Sequence, residues 1–225
     1  MSRIPQHPAA KGSQKWIQKL VTEEPQLLNS PIRTQLDLPD TEKITWLSPI
    51  ADDEYAEYQD QAFLELLGIR LPKVSLSDFW PSRGPVWDGL GKAHSGNVFL
   101  VEAKSHISEV LSPKTGAGEK SLRKIKKSLN ETKTFLHSKS EHDWTTTFYQ
   151  YTNRLAHLYL LRALNEVPAY LVFLYFVNDK DMNGPKSVDE WIGAISLLKS
   201  YLGVGRHRLD KYVAETFIDV KALQA

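Results

Sequence analysis

An aspartate, a glutamate and a lysine near the middle of the chain have the types and spacing that metal-assisted hydrolysis requires. Asp88 lies in a Trp-Asp-Gly sequence, and Glu102 and Lys104 end the run N-V-F-L-V-E-A-K at residues 97–104. Side chains at i and i+2 of a strand point to the same face, so Glu102 and Lys104 are expected to project together. If residues 86–88 pair with this strand as a hairpin, the Asp88 carboxylate arrives beside Glu102.

Two neighbouring carboxylates repel each other unless a cation lies between them. Hard oxygen ligands suit Mg2+, with Mn2+ as a substitute, so Asp88 and Glu102 predict a metal site. The metal would lower the pKa of a bound water and neutralise charge on a phosphate. Lys104 would orient or deprotonate that water, or stabilise the developing negative charge. An ordinary ion-pair cluster at a sheet edge is the alternative interpretation of the same three residues.

Apolar runs separated by turn residues predict the elements that hold these side chains. Residues 97–104 are apolar on both faces until their C-terminal end, which is typical of a central strand covered on both sides. Further strands are predicted at residues 43–47, 74–80, 169–177 and 212–220, and helices at residues 13–24, 52–67, 119–136, 144–165 and 191–202. The pattern predicts an α/β fold with a mixed central sheet flanked by helices.

The order of these residues resembles the PD-(D/E)XK nuclease superfamily, whose signature is an Asp, a loop and Glu-X-Lys on the next strand. The match covers about residues 52–177. The resemblance implies a restriction-endonuclease-like αβββαβ core, preceded here by an N-terminal helical extension. It also implies metal-dependent hydrolysis of a phosphodiester in DNA, with Asp88, Glu102 and the Ala103 carbonyl as metal ligands. Lys104 would then stand beside the attacking water.

The same resemblance extends the candidate site beyond the central strand. Many members carry a glutamate in the first helix, about eleven residues before the glycine that ends it, and Glu57 stands eleven residues before Gly68. The resemblance therefore adds Glu57 to the candidate catalytic residues. A subset of members carries Gln-X-X-X-Tyr, which appears here as Gln150-Tyr-Thr-Asn-Arg154, with arginine in place of tyrosine. Trp87 stands where the family usually has proline.

A basic segment follows the candidate catalytic strand. Between residues 111 and 139, eight lysine or arginine side chains stand against two glutamates. Such a segment either follows a phosphate backbone and displaces its counterions or forms the solvated face of a helix. Gln150 and Arg154 share a helical face and could add polar contacts. The candidate nucleic-acid-binding residues are Lys120, Arg123, Lys124, Lys126, Lys127, Gln150 and Arg154.

The composition excludes several kinds of protein and of site. With 225 residues, 28 basic and 27 acidic side chains and 41% hydrophobic residues, the chain is typical of one globular domain with an extension. The absence of cysteine excludes disulfide scaffolds, thiolate zinc sites and cysteine nucleophiles. No apolar run approaches the roughly 20 residues of a membrane span, so we expect a cytoplasmic protein without membrane partners.

The sequence also predicts how the chain is divided. We expect a flexible leader at residues 1–12, an N-terminal extension packing on the core at residues 13–50, and a nuclease-like α/β domain at residues 51–225. The expected partner is nucleic acid, in the first place DNA, and a homodimer is compatible with this organisation. Two other functions stay open: a catalytically silent nuclease-like fold that binds nucleic acid or protein, and a metal-independent hydrolase that acts on a substrate other than nucleic acid and uses Asp88 and Glu102 as a carboxylate pair.

Overall fold

A five-stranded mixed sheet flanked by helices forms the centre of the computed structural model, which describes residues 3–224. The strands are β1 (Arg3–Ile4), β2 (Ile44–Ser48), β3 (Glu57–Tyr58), β4 (Gly89–Ala93), β5 (Val98–Lys104), β6 (Ala169–Val177) and β7 (Val213–Asp219). The helices are α1 (Gly12–Glu23), α2 (Pro25–Gln35), α3 (Asp60–Leu67), α4 (Leu76–Phe79), α5 (Glu119–Phe135), α6 (Tyr149–Tyr159) and α7 (Val188–Leu202). The predicted α/β class with a mixed central sheet is confirmed.

The strand order across the sheet is β2-β4-β5-β6-β7. The β2/β4 and β4/β5 pairs are antiparallel, and β4 and β5 are joined by a tight turn in which the Ala93 N–H donates to the Asn97 carbonyl. The β5/β6 and β6/β7 pairs are parallel, and each needs a long crossover. Helices α5 and α6 form the first crossover and α7 the second. The αβββαβ order implied by the resemblance has three strands between its first two helices. Between α3 and α5 the chain contributes β4 and β5 to this sheet, whereas β2 precedes α3.

Strand β5 is buried on both faces, as its apolar sequence predicts. Phe99, Val101 and Ala103 face a layer that includes α1 and α2. The alternate residues Val98 and Leu100 face the layer that contains α5, α6 and α7. Because side chains alternate along a strand, Glu102 belongs to this second face. The period of two therefore directs the candidate site toward α5 and α6.

The N-terminal part of the chain contributes strands to the five-stranded sheet and to a second, two-stranded sheet that β1 and β3 form. Strand β2, inside the segment predicted to be an extension, is an edge strand of the large sheet. Arg3 and Ile4, inside the segment predicted to be a flexible leader, pair with β3, and the Arg3 guanidinium contacts the carboxylates of Asp53 and Glu54. Residues 1, 2 and 225 lie outside the described residues.

Two predicted elements differ most from the structure, and the helix predicted at residues 144–165 also begins later, at Tyr149. The helix predicted at residues 52–67 begins only at Asp60, so the placement of Glu57 in a helix is wrong. Glu54 and Tyr55 adopt φ angles of 51° and 49°, a left-handed conformation that cannot continue a right-handed helix, and Glu57 then pairs with β1. The strand-like segment at residues 74–80 contains the short helix α4 instead. Ser75 caps that helix by accepting the Asp78 N–H.

No helix within residues 3–224 is long and apolar enough to cross a membrane.

Candidate active site

The strand register aligns three carboxylates across neighbouring strands. Gly89 pairs with Val101 in the antiparallel β4/β5 ladder, so the next opposed pair is Asp88 and Glu102. An isolated antiparallel bridge joins Tyr58 to Trp87, which in the same way sets Glu57 opposite Asp88. Directly opposed side chains of an antiparallel pair lie on the same face. Glu57, Asp88 and Glu102 therefore form a row, although Glu57 comes from a strand and not from the predicted helix.

This row lies in a cleft of about 740 Å³. Glu57, Asp88, Glu102, Ala103, Lys104, Gln150 and Arg154 all line the cleft, together with residues 81–86 from one loop and residues 112–118 from another. We call residues 81–86 the first wall loop and residues 112–118 the second wall loop. The four candidate catalytic residues, the candidate carbonyl ligand and the two α6 candidates thus share one cavity.

Glu102 is held by two cations and is 2% exposed. The Lys104 Nζ donates to Glu102 Oε1 at 2.5 Å, and the Arg154 Nε donates to Glu102 Oε2 at 2.6 Å. The Arg154 Nη2 also contacts Oε2. Burial opposes ionisation of this carboxyl group, but the charges of Arg154 and Lys104 outweigh burial and lower its pKa. Glu102 is therefore a carboxylate at neutral pH, with both oxygens paired.

In contrast to Glu102, Asp88 has a raised pKa and therefore holds its proton readily. Burial raises its pKa, the negative charge of Glu102 adds to this effect, and the Lys104 charge opposes it. Its Oδ2 accepts the Ala103 N–H at 2.7 Å. A divalent cation beside Asp88 would replace the proton, because a carboxylate ligand must be ionised.

Glu57 is fixed by two glutamines of the N-terminal segment. The Gln6 Nε2 donates to Glu57 Oε2 and the Gln14 Nε2 donates to Oε1, both at 3.1 Å. Burial raises the pKa of Glu57, and these two hydrogen bonds oppose the rise. Gln6 and Gln14 belong to no sequence motif and lie 51 and 43 positions from Glu57, so no local signal in the sequence marks them as its partners.

Lys104 connects the central strand to α6. Besides Glu102, its Nζ donates to Gln150 Oε1 at 3.1 Å, and the Gln150 N–H donates to the Ser112 hydroxyl at 2.9 Å. Burial alone would lower the pKa of Lys104, but the carboxylates of Glu102 and Asp88 raise it above its ordinary value. Lys104 therefore carries a proton at neutral pH, and in this arrangement it is suited to stabilise negative charge and not to act as a base.

Arg154 is a buried residue, 4% exposed, and each nitrogen of its guanidinium donates a hydrogen bond. Besides Glu102, it donates to the Val86 carbonyl at 2.6 Å and to the Asn153 side-chain oxygen at 2.9 Å. The guanidinium carbon lies 4.8 Å from the centroid of the Trp87 ring, which is itself buried. Arg154 thus joins β5, the first wall loop and α6 beneath the surface of the cleft.

The five basic candidates on α5 lie outside the cleft lining. Three of them contact acidic side chains: Arg123 with Glu119 at 2.7 Å, Lys126 with Asp143 at 3.0 Å and Lys127 with Glu131 at 3.8 Å. The Lys124 Nζ donates to the Ser77 carbonyl at 2.6 Å, and Lys120 is exposed at the start of the helix. From the basic segment, Lys114 is the lysine that lines the cleft.

The donors in the row suit Mg2+ or Mn2+ in their chemistry. Magnesium is usually held by one or two carboxylates with water completing its shell, so Asp88, Glu102 and the Ala103 carbonyl would suffice. Within residues 3–224, no group of three or more His, Cys, Asp or Glu side chains is arranged to hold a metal ion. Metal binding here would require Glu102 to exchange at least one of its contacts with Lys104 and Arg154.

No protein-family model, curated protein or solved structure matches this chain. Its function is therefore inferred from the geometry of the cleft.

Proposed function

We propose that this protein is a Mg2+- or Mn2+-dependent nuclease that hydrolyses a phosphodiester of DNA through a PD-(D/E)XK-type site on a restriction-endonuclease-like core. One observation carries the proposal: Glu57, Asp88 and Glu102 form a row across neighbouring strands at the base of a cleft of about 740 Å³. Lys104, two residues beyond Glu102, lines the same cleft. This combination is the one that two-carboxylate metal hydrolysis needs.

Each residue has a distinct role in this proposal. Asp88, Glu102 and the Ala103 carbonyl would hold the metal, which when bound supplies an activated water and neutralises phosphate charge. Lys104, protonated because of its carboxylate neighbours, would stabilise the negative charge that develops on the phosphate. Gln150 orients the Lys104 ammonium. Arg154 orients Glu102 and holds the first wall loop by its carbonyl at Val86.

The test combines Mn2+ titration by calorimetry with single-turnover cleavage of linear and branched DNA. Asp88→Asn removes a ligand charge, so it should weaken Mn2+ binding and abolish cleavage together. Lys104→Ala should retain Mn2+ binding, while cleavage falls by a factor of about 10² or more, the usual effect of losing one acid–base or electrostatic group. Lys186→Ala, at an exposed lysine outside the cleft lining and outside the candidate nucleic-acid-binding residues, is the matched control and should cleave at the parent rate. If Lys104→Ala also cleaves at that rate, the proposed mechanism is wrong.

A second candidate function is a catalytically silent module that binds nucleic acid or a protein. The observation that favours it is the pairing of both Glu102 oxygens with Lys104 and Arg154, which already neutralises the carboxylate without a metal. Such a module would take up no Mn2+ at Asp88 and Glu102. A parent protein that binds DNA equally well in EDTA and in Mn2+, and cleaves none of the DNA offered, would establish this second function in place of the first.

A further inference from the structure

The side chains that line the cleft differ in whether their charges are already paired. Three are acidic, Glu57, Asp88 and Glu102, and four are basic, Arg83, Lys104, Lys114 and Arg154. Lys104 and Arg154 are paired with Glu102. Arg83 and Lys114 are exposed, and neither side chain has an ion pair or hydrogen bond within residues 3–224. The cleft therefore presents two uncommitted positive charges, one on each wall loop.

The backbone of the first wall loop is fixed at Arg83. The Asp60 carboxylate accepts the Arg83 N–H at 3.0 Å and the Gly84 N–H at 2.8 Å. Arg83 has φ of 65°, a left-handed conformation that non-glycine residues seldom adopt unless neighbouring contacts hold it. The contact of Arg154 with the Val86 carbonyl holds the same loop three residues later. The base of the Arg83 side chain is thus held in place while its guanidinium remains in solvent.

The second wall loop is open toward the cleft. The Thr115 N–H donates to the Thr145 carbonyl at 3.0 Å, which anchors the loop next to Lys114. A Cβ added to Gly116 or Gly118 would meet no atom within 4 Å, so a ligand can approach the backbone closely at both positions. The Ser112 hydroxyl accepts the Gln150 N–H, and Gln150 in turn contacts Lys104. Lys114 therefore belongs to a loop that is tied to the proposed reaction centre.

We propose that Arg83 and Lys114 bind phosphates of the nucleic-acid backbone on either side of the phosphodiester at Asp88 and Glu102, and that the α5 lysines do not. This inference rests on the proposed function and names the contacts that hold its substrate. A guanidinium can bind a phosphate through two hydrogen bonds, and an ammonium binds one as a point charge. Contacts of this kind position a backbone without reading its sequence, so binding through the cleft is sequence-independent and sensitive to salt.

The experiment measures DNA binding by fluorescence anisotropy in EDTA, where no cleavage can occur, at several salt concentrations. A labelled duplex is titrated with the parent protein, Arg83→Gln, Lys114→Gln, the double variant and the control Lys127→Gln. Each cleft variant should weaken binding several-fold and reduce the slope of log affinity against log salt by about 1, the value for one lost phosphate contact. Lys127→Gln, which removes the same charge from the exposed face of α5, should bind like the parent.

The variants also separate this inference from the proposed function. All three substituted positions are exposed, so thermal unfolding midpoints should match the parent, and Arg83→Lys should recover part of the lost affinity. If the parent cleaves DNA in Mn2+ while both cleft variants bind like the parent, the assignment of Arg83 and Lys114 is wrong and the nuclease proposal stands. If Lys127→Gln loses as much affinity as Arg83→Gln, binding extends over α5 and the inference is also wrong. A parent that neither binds nor cleaves DNA overturns both.

Discussion

The basic side chains of α5 and the one arginine of α6 differ in exposure and in the number of contacts that hold them. Arg123, Lys126 and Lys127 are exposed, and each meets one acidic side chain at the surface. Arg154 is 4% exposed, stacks on Trp87 and donates to three different groups. Exposed ion pairs contribute about 0–1 kcal/mol, whereas removing one partner of a buried pair costs about 3–5 kcal/mol. Helix α5 thus carries more basic side chains than α6, but each of its ion pairs contributes less to stability than the buried pair of Arg154.

This difference shows which charged residues in a sequence indicate a specific binding partner. Charges on α5 occur in a dense run, and such a run can be satisfied by water alone. Arg154 is the one Lys, Arg, Asp or Glu residue of α6, and it lies within the buried residues 151–158, where an unpaired guanidinium would be too costly. An isolated charge in a buried helix therefore indicates a specific partner more strongly than a basic run indicates a nucleic acid.

Arg154→Met tests the comparison with the largest expected effect. Methionine fills most of the volume but leaves Glu102 buried with only Lys104 beside it, so the free energy of unfolding should fall by about 3–5 kcal/mol. Arg123→Met on α5 should change it by less than about 0.5 kcal/mol. Urea unfolding at pH 7 measures both. Equal losses in the two variants would show that burial does not distinguish these arginines.

His157 extends the comparison to pH, since α6 also buries this imidazole. It lies among aromatic rings, 4.9 Å from the ring of Trp80 and 6.1 Å from that of Trp87, and burial lowers its pKa to about 3. Between pH 6.5 and about 3 the unfolded chain binds a proton that the folded protein excludes, so stability decreases as the pH falls through this window. At pH 5 the loss is about 2 kcal/mol, at about 1.4 kcal/mol for each pH unit below 6.5.

The variant His157→Gln removes the imidazole that binds this proton in the unfolded chain. Its free energy of unfolding, relative to the parent, should be constant between pH 7 and pH 8 and should rise steadily from pH 6.5 to pH 5. Urea unfolding at half-unit intervals of pH gives the slope. A parent and variant whose stabilities run parallel below pH 6.5 would show that the folded protein accepts the proton and that the imidazole is not excluded from water.

The sequence was sufficient for the elements whose signal is local. Strand β6 matches the predicted residues 169–177, and α5 matches the predicted helix to within one residue at its C-terminal end. The hairpin that sets Asp88 opposite Glu102 could be inferred because it needs only a turn between adjacent strands. These features depend on residues close together in the chain.

Contacts between distant segments could not be inferred in this way. The apolar spacing within residues 52–67 and the closing Gly68 predict a helix that contains Glu57, but the left-handed turn at Glu54 and the pairing with Ile4 override that local pattern. Gln6 and Gln14 reach Glu57 because β1 pairs with β3 and the start of α1, at Ser13, lines the cleft. Likewise, the basic run on α5 does not reveal which lysines face the cleft, since a helix distributes them over several faces and only the fold decides which face is covered.

The smallest expected effect comes from the pair Lys127 and Glu131, and it completes the comparison. Their charges lie one helical turn apart at 3.8 Å, with side-chain exposures of 75% and 43%. In a double-mutant cycle to alanine, the coupling free energy should be below about 0.5 kcal/mol at low salt, because water and mobile side chains weaken exposed pairs. It should vanish in 1 M NaCl, where the screening length is about 3 Å.

The same double-mutant cycle for Arg154 and Glu102, with methionine and glutamine as the substitutes, should give a coupling free energy several times larger. This coupling should persist in 1 M NaCl, since ions cannot enter a site that is 2–4% exposed. Urea unfolding of the two sets of variants at both salt concentrations measures the four couplings. A coupling of Arg154 with Glu102 that disappears in salt would mean that the base of the cleft is open to solvent, and the contrast between the two helices would then be lost.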